Sequence, residues 1–191
     1  MGDDGHLAAL RTYWKRKQAF PSMSRLCEVV GLSSSSSVFA LIKRLSDAGY
    51  LERVDGRIAP TRQFFGRPVI GAVRAGLPEP ESQDQAELLT IDDYLVDDPN
   101  RTVLCRVRGE SMRDVGLLDG DLVVVEKNRP TKPGDIVVAL VDGELTVKTL
   151  RLDKDGAFYL DPANPDFAAI RPQGSLEIVG VVTGSVRKYG R

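Results

Sequence analysis

The stretch DIVVALVDGELTVKTL, residues 135–150, decides the fold of the larger part of this chain. Two runs rich in Val, Ile, Leu and Thr flank Asp142-Gly143, a dipeptide that favours a two-residue hairpin turn because both central residues take positive φ. Such a turn sets the register, so Val141 faces Glu144 and Val137 faces Lys148. Side chains alternate along a strand, which puts Lys148 on one face with Val137, Ala139, Thr146 and Leu150. An ammonium among apolar neighbours loses solvation and its pKa falls, as a general base requires. The alternative is a lysine whose stem lies along the sheet and whose amine snorkels to the edge.

Working outward, TVLCRVR (102–108), DLVVVEK (121–127) and LEIVGVVTGSV (176–186) repeat the pattern of short apolar runs between Gly, Pro, Asp and Asn. No convincing helix follows residue 67. The expectation is an all-β, partly open barrel or sandwich of about 120 residues. The last run, Leu176–Val186, is expected at a free edge, where it pairs with its symmetry mate in a homodimer. Between the first two runs lies RGESMRDVGLLDGD (108–121), which places Ser111 on a Gly-led turn. A serine there is ordinarily a turn former.

The first third reads differently. Leu7, Leu10 and Trp14 fall at helical spacing from His6 to Gln18, with Lys15, Arg16 and Lys17 at the end that suits the helix dipole. A second helix starts after Pro21 with Ser22 as N-cap, turns Leu26, Val29 and Val30 inward, and stops at Gly31. A third, from Ser35 to Ala48, buries Val38, Ile42 and Leu45, and Gly49 ends it. YLERVDGRIAP (50–60) is a second hairpin around Asp55-Gly56. Three helices and a hairpin, with a short link between the second and third helices, read as a winged helix-turn-helix. The serine run Ser33–Ser37 forms the turn and first helical turn, where short hydroxyls cap the helix and reach phosphates. Ser34, Ser36, Ser37, Phe39, Ala40, Lys43 and Arg44 are the candidate DNA-contacting residues. Phe39 either closes the edge of the core near Ile42 or touches a thymine methyl.

Residues 1–66 hold ten Lys and Arg against six Asp and Glu, whereas 67–191 hold sixteen against twenty-one. A basic module joined to an acidic one brings the first to nucleic acid. PTRQFFGRPVI (60–70) breaks the helical pattern, so the expected division is 1–62 for DNA binding, 63–70 as linker and 71–191 for the β domain, with the break near Gly66. Phe64 and Phe65 are expected to be a packed anchor. The whole is an α+β chain of two domains.

Composition narrows the chemistry. Two cysteines, Cys27 and Cys105, and one histidine, His6, make an ordinary structural zinc site impossible, so no metal or other cofactor is expected. Cys105 is expected at a buried strand position, and His6, beside the terminus, on the solvated surface. A serine hydrolase here therefore needs a base other than histidine. No apolar run approaches the roughly 18 residues of a membrane span, and the acidic start is unlike a signal peptide. The reading is cytoplasmic, without a membrane partner.

Three motifs carry a resemblance. Gly109-Glu110-Ser111-Met112, continuing to Asp119-Gly120-Asp121, resembles the nucleophile signature of the LexA/UmuD/phage-repressor self-cleaving family. Leu145-Thr146-Val147-Lys148 resembles its general-base strand, and Val73-Arg74-Ala75-Gly76-Leu77-Pro78 its cleavage loop. The motifs occur in the family's order, and the winged helix extends the likeness over nearly the whole chain.

The resemblance implies a LexA/signal-peptidase-like catalytic domain with a Ser111–Lys148 dyad and an oxyanion hole from the N–H groups of Glu110 and Ser111. It also implies autoproteolysis at Ala75-Gly76, a homodimer on palindromic operator double-stranded DNA, and stimulation by the RecA–single-stranded-DNA filament. A repressor of the DNA-damage (SOS) response fits best. A phage-type repressor shares the mechanism, and a UmuD-like mutagenesis accessory protein has no need of a winged helix. A signal-peptidase-like enzyme requires an anchor that this reading does not find. The helix expected to read DNA departs from the family's polar and acidic pattern, which leaves the operator sequence open.

Overall fold

The computed structural model describes residues 2–69 and 87–189. The chain divides into two compact units, Met1–Ile91 and Asp92–Arg191. That break lies well after the one expected near Gly66. The physical reason is that Arg67–Val69, just after Gly66, pairs with Glu87–Leu89 and keeps that stretch with the first unit, whose core includes the fully buried Phe64.

In the first unit, α1 (Asp3–Lys17), α2 (Met23–Val30) and α3 (Ser35–Asp47) precede the hairpin of β1 (Leu51–Val54) and β2 (Arg57–Pro60). Helix α1 begins three residues earlier than its apolar spacing predicts, because Asp3 and Asp4 suit the positive end of the dipole. Ser22 occupies the N-cap of α2 but its hydroxyl meets Ser24 instead of a backbone N–H, whereas Gly31 closes that helix at φ 68°. Leu7, Leu10, Leu26, Val38, Leu41, Ile42 and Leu45 make the core with Phe64. Each such side chain contributes roughly 1.5–3 kcal/mol by leaving water. Asp55 and Gly56 both have positive φ, as a type I′ turn demands, and Val54 pairs with Arg57.

His6 corrects one expectation. It is buried, and its Nδ1 lies 3.0 Å from the Val30 carbonyl oxygen. The left-handed stop at Gly31 leaves carbonyls at the end of α2 without helical partners, and His6, on the inner face of α1, supplies one.

A short helix, α4 (Arg62–Phe65), leads to β3 (Arg67–Val69), which pairs with β4 (Glu87–Leu89). Phe65 meets the edge of the Trp14 ring at 5.3 Å, so the Phe64–Phe65 pair anchors this segment. A helix does follow residue 67, against expectation: α5 (Ile91–Leu95) carries Asp92 and Asp93 in its first turn, again complementing the dipole.

The second unit is built on one six-stranded antiparallel sheet. Its strands are β5 (Thr102–Arg106), β6 (Leu122–Glu126), β7 (Ile136–Val141), β8 (Glu144–Leu152), β9 (Phe158–Asp161) and β10 (Leu176–Val186). Their order across the sheet is β5-β6-β10-β7-β8-β9. Val123, Val125 and Val138 belong to one apolar cluster, and Val137, Ala139, Leu150 and Leu160 to another. Strand β10 is not at an edge, which corrects the expectation for the last run. Leu176–Val181 pairs with β7 and Val181–Val186 with β6, the register shifting near Gly180 and again near Gly184. A Cβ at position 180 would come within 2.5 Å of the Glu126 carbonyl oxygen, so glycine lets the strand pass from one partner to the other.

Candidate active site

Asp142 and Gly143 have φ of 48° and 91°, the geometry of a type I′ turn. The ladder that follows pairs Val141 with Glu144, Ala139 with Thr146 and Val137 with Lys148. The register therefore puts Lys148 opposite Val137, on one face with the buried Ala139 and Leu150, and only 7% of it is exposed.

Ser111 comes from the turn after β5. Gly109 takes φ 81° and its N–H donates to the Asp119 carboxylate at 2.7 Å, which folds residues 107–121 back on themselves. Val107 N–H donates to Asp121 O, and Gly120 N–H to Val107 O, extending the β5–β6 pairing to the base of the turn. Met112, fully buried, anchors the turn beside Ser111, and a 3₁₀ segment (Arg113–Val115) follows.

The two segments meet at Ser111 and Lys148. Lys148 Nζ lies 2.7 Å from Ser111 Oγ, 3.1 Å from Thr146 Oγ1 and 3.0 Å from the Val147 carbonyl oxygen. Three acceptors match the three protons of an ammonium. Burial still lowers the lysine pKa from its ordinary value, because it disfavours the charged form. Without one proton the amine keeps two donors for Thr146 and Val147, and its lone pair is left for Ser111.

Ser111 and Lys148 open onto a cleft of about 490 Å³ whose walls include Val107, Val123, Val138, Leu145 and Val147. Cys105, expected to be a buried strand residue, is half-buried and lines the same cleft as a free thiol. The amide N–H groups of Glu110 and Ser111 donate to no acceptor among the described residues. Ala75 and Gly76, and Val73 before them, lie outside the described residues, which resume at β4. No group of three or more His, Cys, Asp and Glu side chains among the described residues is placed to hold a metal ion.

Two neighbours of this site, Arg187 and Asn164, carried no sequence signal. Asp121 is buried and accepts from Arg187 Nε at 2.7 Å and Nη2 at 2.6 Å, and from Leu118 N–H at 2.8 Å. The guanidinium holds the Asp121 carboxyl down to about 2. Arg187 also donates to the Gly116 carbonyl, so the residue after β10 clamps the far end of the turn that carries Ser111. Asn164, in the loop after β9, donates to the Glu110 carbonyl at 2.9 Å. An Asn between two prolines reads as a turn residue, and only the tertiary fold aims its amide.

In the first unit Ser34 caps α3, accepting from Ser37 N–H at 3.2 Å, and its hydroxyl also meets those of Ser36 and Ser37. Ser36, Ser37, Ala40 and Lys43 are exposed. Phe39 is 53% exposed, so of its two alternatives the core edge is not taken. Arg44 differs from Lys43, because its guanidinium makes two 2.8 Å bonds to the Asp3 carboxylate.

Comparison with known proteins accords with this geometry. The Peptidase S24-like family model matches residues 68–183, which include Ser111, Lys148 and nearly the whole six-stranded sheet. A LexA repressor of Azoarcus sp. is 35% identical over 87% of this chain and 84% of its own length. One from Clostridium botulinum is 33% identical over 92% and 90%, and one from Carboxydothermus hydrogenoformans 32% over 96% and 94%. The chain belongs to the LexA repressor family, and its residues 68–183 are Peptidase S24-like.

Proposed function

We propose that this chain represses genes of the DNA-damage (SOS) response and inactivates itself by cutting its own Ala75–Gly76 bond, with Ser111 as nucleophile and Lys148 as general base. The observation that carries the reading is the 2.7 Å contact between a serine hydroxyl and a buried lysine with a lowered pKa. With Lys148 neutral, the Ser111 hydroxyl donates to Nζ and passes its proton as Oγ attacks the Ala75 carbonyl. The N–H groups of Glu110 and Ser111 receive the developing oxyanion. The resulting ammonium returns the proton to the Gly76 amine as the peptide bond breaks. Water, deprotonated by the same amine, then hydrolyses the Ala75 ester.

On the DNA side, α1–α3 and the β1–β2 hairpin act as a winged helix-turn-helix, the hairpin being the wing. Ser36, Ser37, Phe39 and Ala40 face base edges, Ser34 caps the helix that carries them, and Lys43 meets phosphate. A homodimer reads a palindromic operator in the cytoplasm. The resemblance names a RecA–single-stranded-DNA filament as the partner that favours the cleavage-competent state. No single described helix is long and apolar enough to cross a membrane.

The test is incubation of the purified chain at alkaline pH with mass spectrometry of the products. Wild type yields fragments ending at Ala75 and beginning at Gly76, while Ser111→Ala and Lys148→Ala yield none and keep operator binding. Cutting that persists in both variants, or maps to another bond, overturns the assignment.

A further inference from the structure

Ser111 offers its backbone N–H to the reaction only if the peptide between Glu110 and Ser111 is held at one angle. In a trans peptide the C=O and the following N–H point in opposite directions, so whatever fixes the Glu110 carbonyl fixes the Ser111 N–H. Two donors hold that carbonyl. One is local, the Arg113 N–H at 3.1 Å, which closes the turn. The other comes from 54 residues away, the Asn164 side chain at 2.9 Å.

Asn164 is well placed for this. It is 3% exposed, and its own orientation is unambiguous. The Asp166 N–H, which can only donate, lies 3.0 Å from Oδ1, while the Glu110 carbonyl, which can only accept, faces Nδ2. Beside it the Ala163 carbonyl accepts from Asp114 N–H at 2.8 Å, so the loop after β9 grips both ends of the nucleophile turn. Asn164 touches neither Ser111 Oγ nor Lys148.

We infer that Asn164 is a positioning residue for self-cleavage, setting the Ser111 N–H as an oxyanion donor by holding the Glu110 carbonyl from behind. The inference rests on the Ser111–Lys148 reading above. Losing an oxyanion donor outright lowers a rate about 10²–10³-fold. Here Arg113 retains part of the orientation, so removing the Asn164 amide lowers the rate roughly tenfold.

The experiment follows self-cleavage of the full-length chain against pH for wild type, Ser111→Ala, Asn164→Ala and Asn164→Asp, with circular dichroism to verify folding. Asn164→Ala lowers the high-pH plateau about tenfold and leaves the midpoint of the profile in place, because Lys148 is untouched. General loosening of the cleft would instead move the midpoint, since it would rehydrate Lys148, and that result overturns the inference. Asn164→Asp keeps the acceptor for Asp166 N–H and Arg113 and turns the donor into a charged acceptor that the Glu110 carbonyl repels, so it carries the test if the alanine variant does not fold, and its plateau falls as well. A plateau within twofold of wild type in either folded variant also overturns the inference. Cutting by Ser111→Ala at the wild-type rate would instead overturn the dyad, which keeps the two failures distinguishable.

Discussion

Val137 stands directly opposite Lys148 in the β7–β8 ladder and is fully buried, so the lysine stem rises against a wall that offers its charge nothing. Among the described residues, the charged form is held by Ser111, Thr146 and the Val147 carbonyl. Desolvation wins, and the pKa is lowered. Self-cleavage should therefore accelerate with pH and level off with a midpoint below the ordinary lysine value of about 10.4. First-order rates across a pH series check this, and a midpoint at or above that value would contradict it.

The same burial makes Lys148 a liability for folding. Its folded pKa lies below its unfolded pKa, so its stability contribution is poorest where both states are charged, and it improves as pH rises between the two values. Lys148→Met should abolish cutting yet unfold at a higher temperature than Ser111→Ala at neutral pH. The gap should narrow in alkali. Thermal scans at the two pH values read it.

Thr146 accepts one of the three ammonium protons. Thr146→Val removes an acceptor that favours the charged form, so the midpoint of the cleavage profile should move to lower pH. The plateau should drop several-fold, because the amine lone pair is less firmly aimed at Ser111. An alkaline shift would show that Thr146 does not act on Lys148 in this way.

The Asp121–Arg187 pair should be worth more than an exposed one. Asp121→Asn leaves the Arg187 guanidinium without its buried counter-charge and should cost roughly 2–3 kcal/mol of stability at neutral pH. Because the folded carboxyl titrates at about 2, the wild-type advantage holds above the ordinary aspartate range. It fades as pH falls from about 4 toward 2. Urea unfolding of both proteins across that interval tests the sign.

On DNA, Lys43→Ala should weaken binding to all sequences and reduce the salt slope by about one. Phe39→Ala should change sequence preference instead. Arg44 is tied to Asp3, so Asp3→Ala should release a cation and strengthen binding to random DNA. Titrations at several salt concentrations separate the three outcomes, and equal losses on operator and random duplex would refute Phe39 as a reader.

What could be read from sequence was whatever a turn or a period writes locally. The two Asp-Gly turns specified their registers, and with them the face on which Lys148 sits. Helical spacing found α1–α3 but missed the burial of His6, because a histidine near a terminus gives no hint that a capped helix will present it with a carbonyl. The Phe64–Phe65 anchor was legible as an aromatic pair, but the pairing of Arg67–Val69 with Glu87–Leu89 was not, because neither short segment carries a periodic pattern. Ser111 was marked by motif. Its supports, Asn164 and Arg187, were not, since both act across more than fifty residues and neither belongs to a periodic pattern.

The central place of β10 has a consequence for synthesis. Within the sheet, the β5–β6 pair that flanks Ser111 and the β7–β8–β9 group that carries Lys148 share no ladder of their own and are zipped together by β10. A ribosome that has not yet released residues up to Val186 holds back the strand that joins the Ser111 and Lys148 parts of the sheet, while α1–α3 have long since emerged and are free to pack. The nascent repressor is thus complete as a helical unit before it is armed as a protease. A chain that ends before β10 should therefore fail to cut itself, which mass spectrometry of the truncated protein would read.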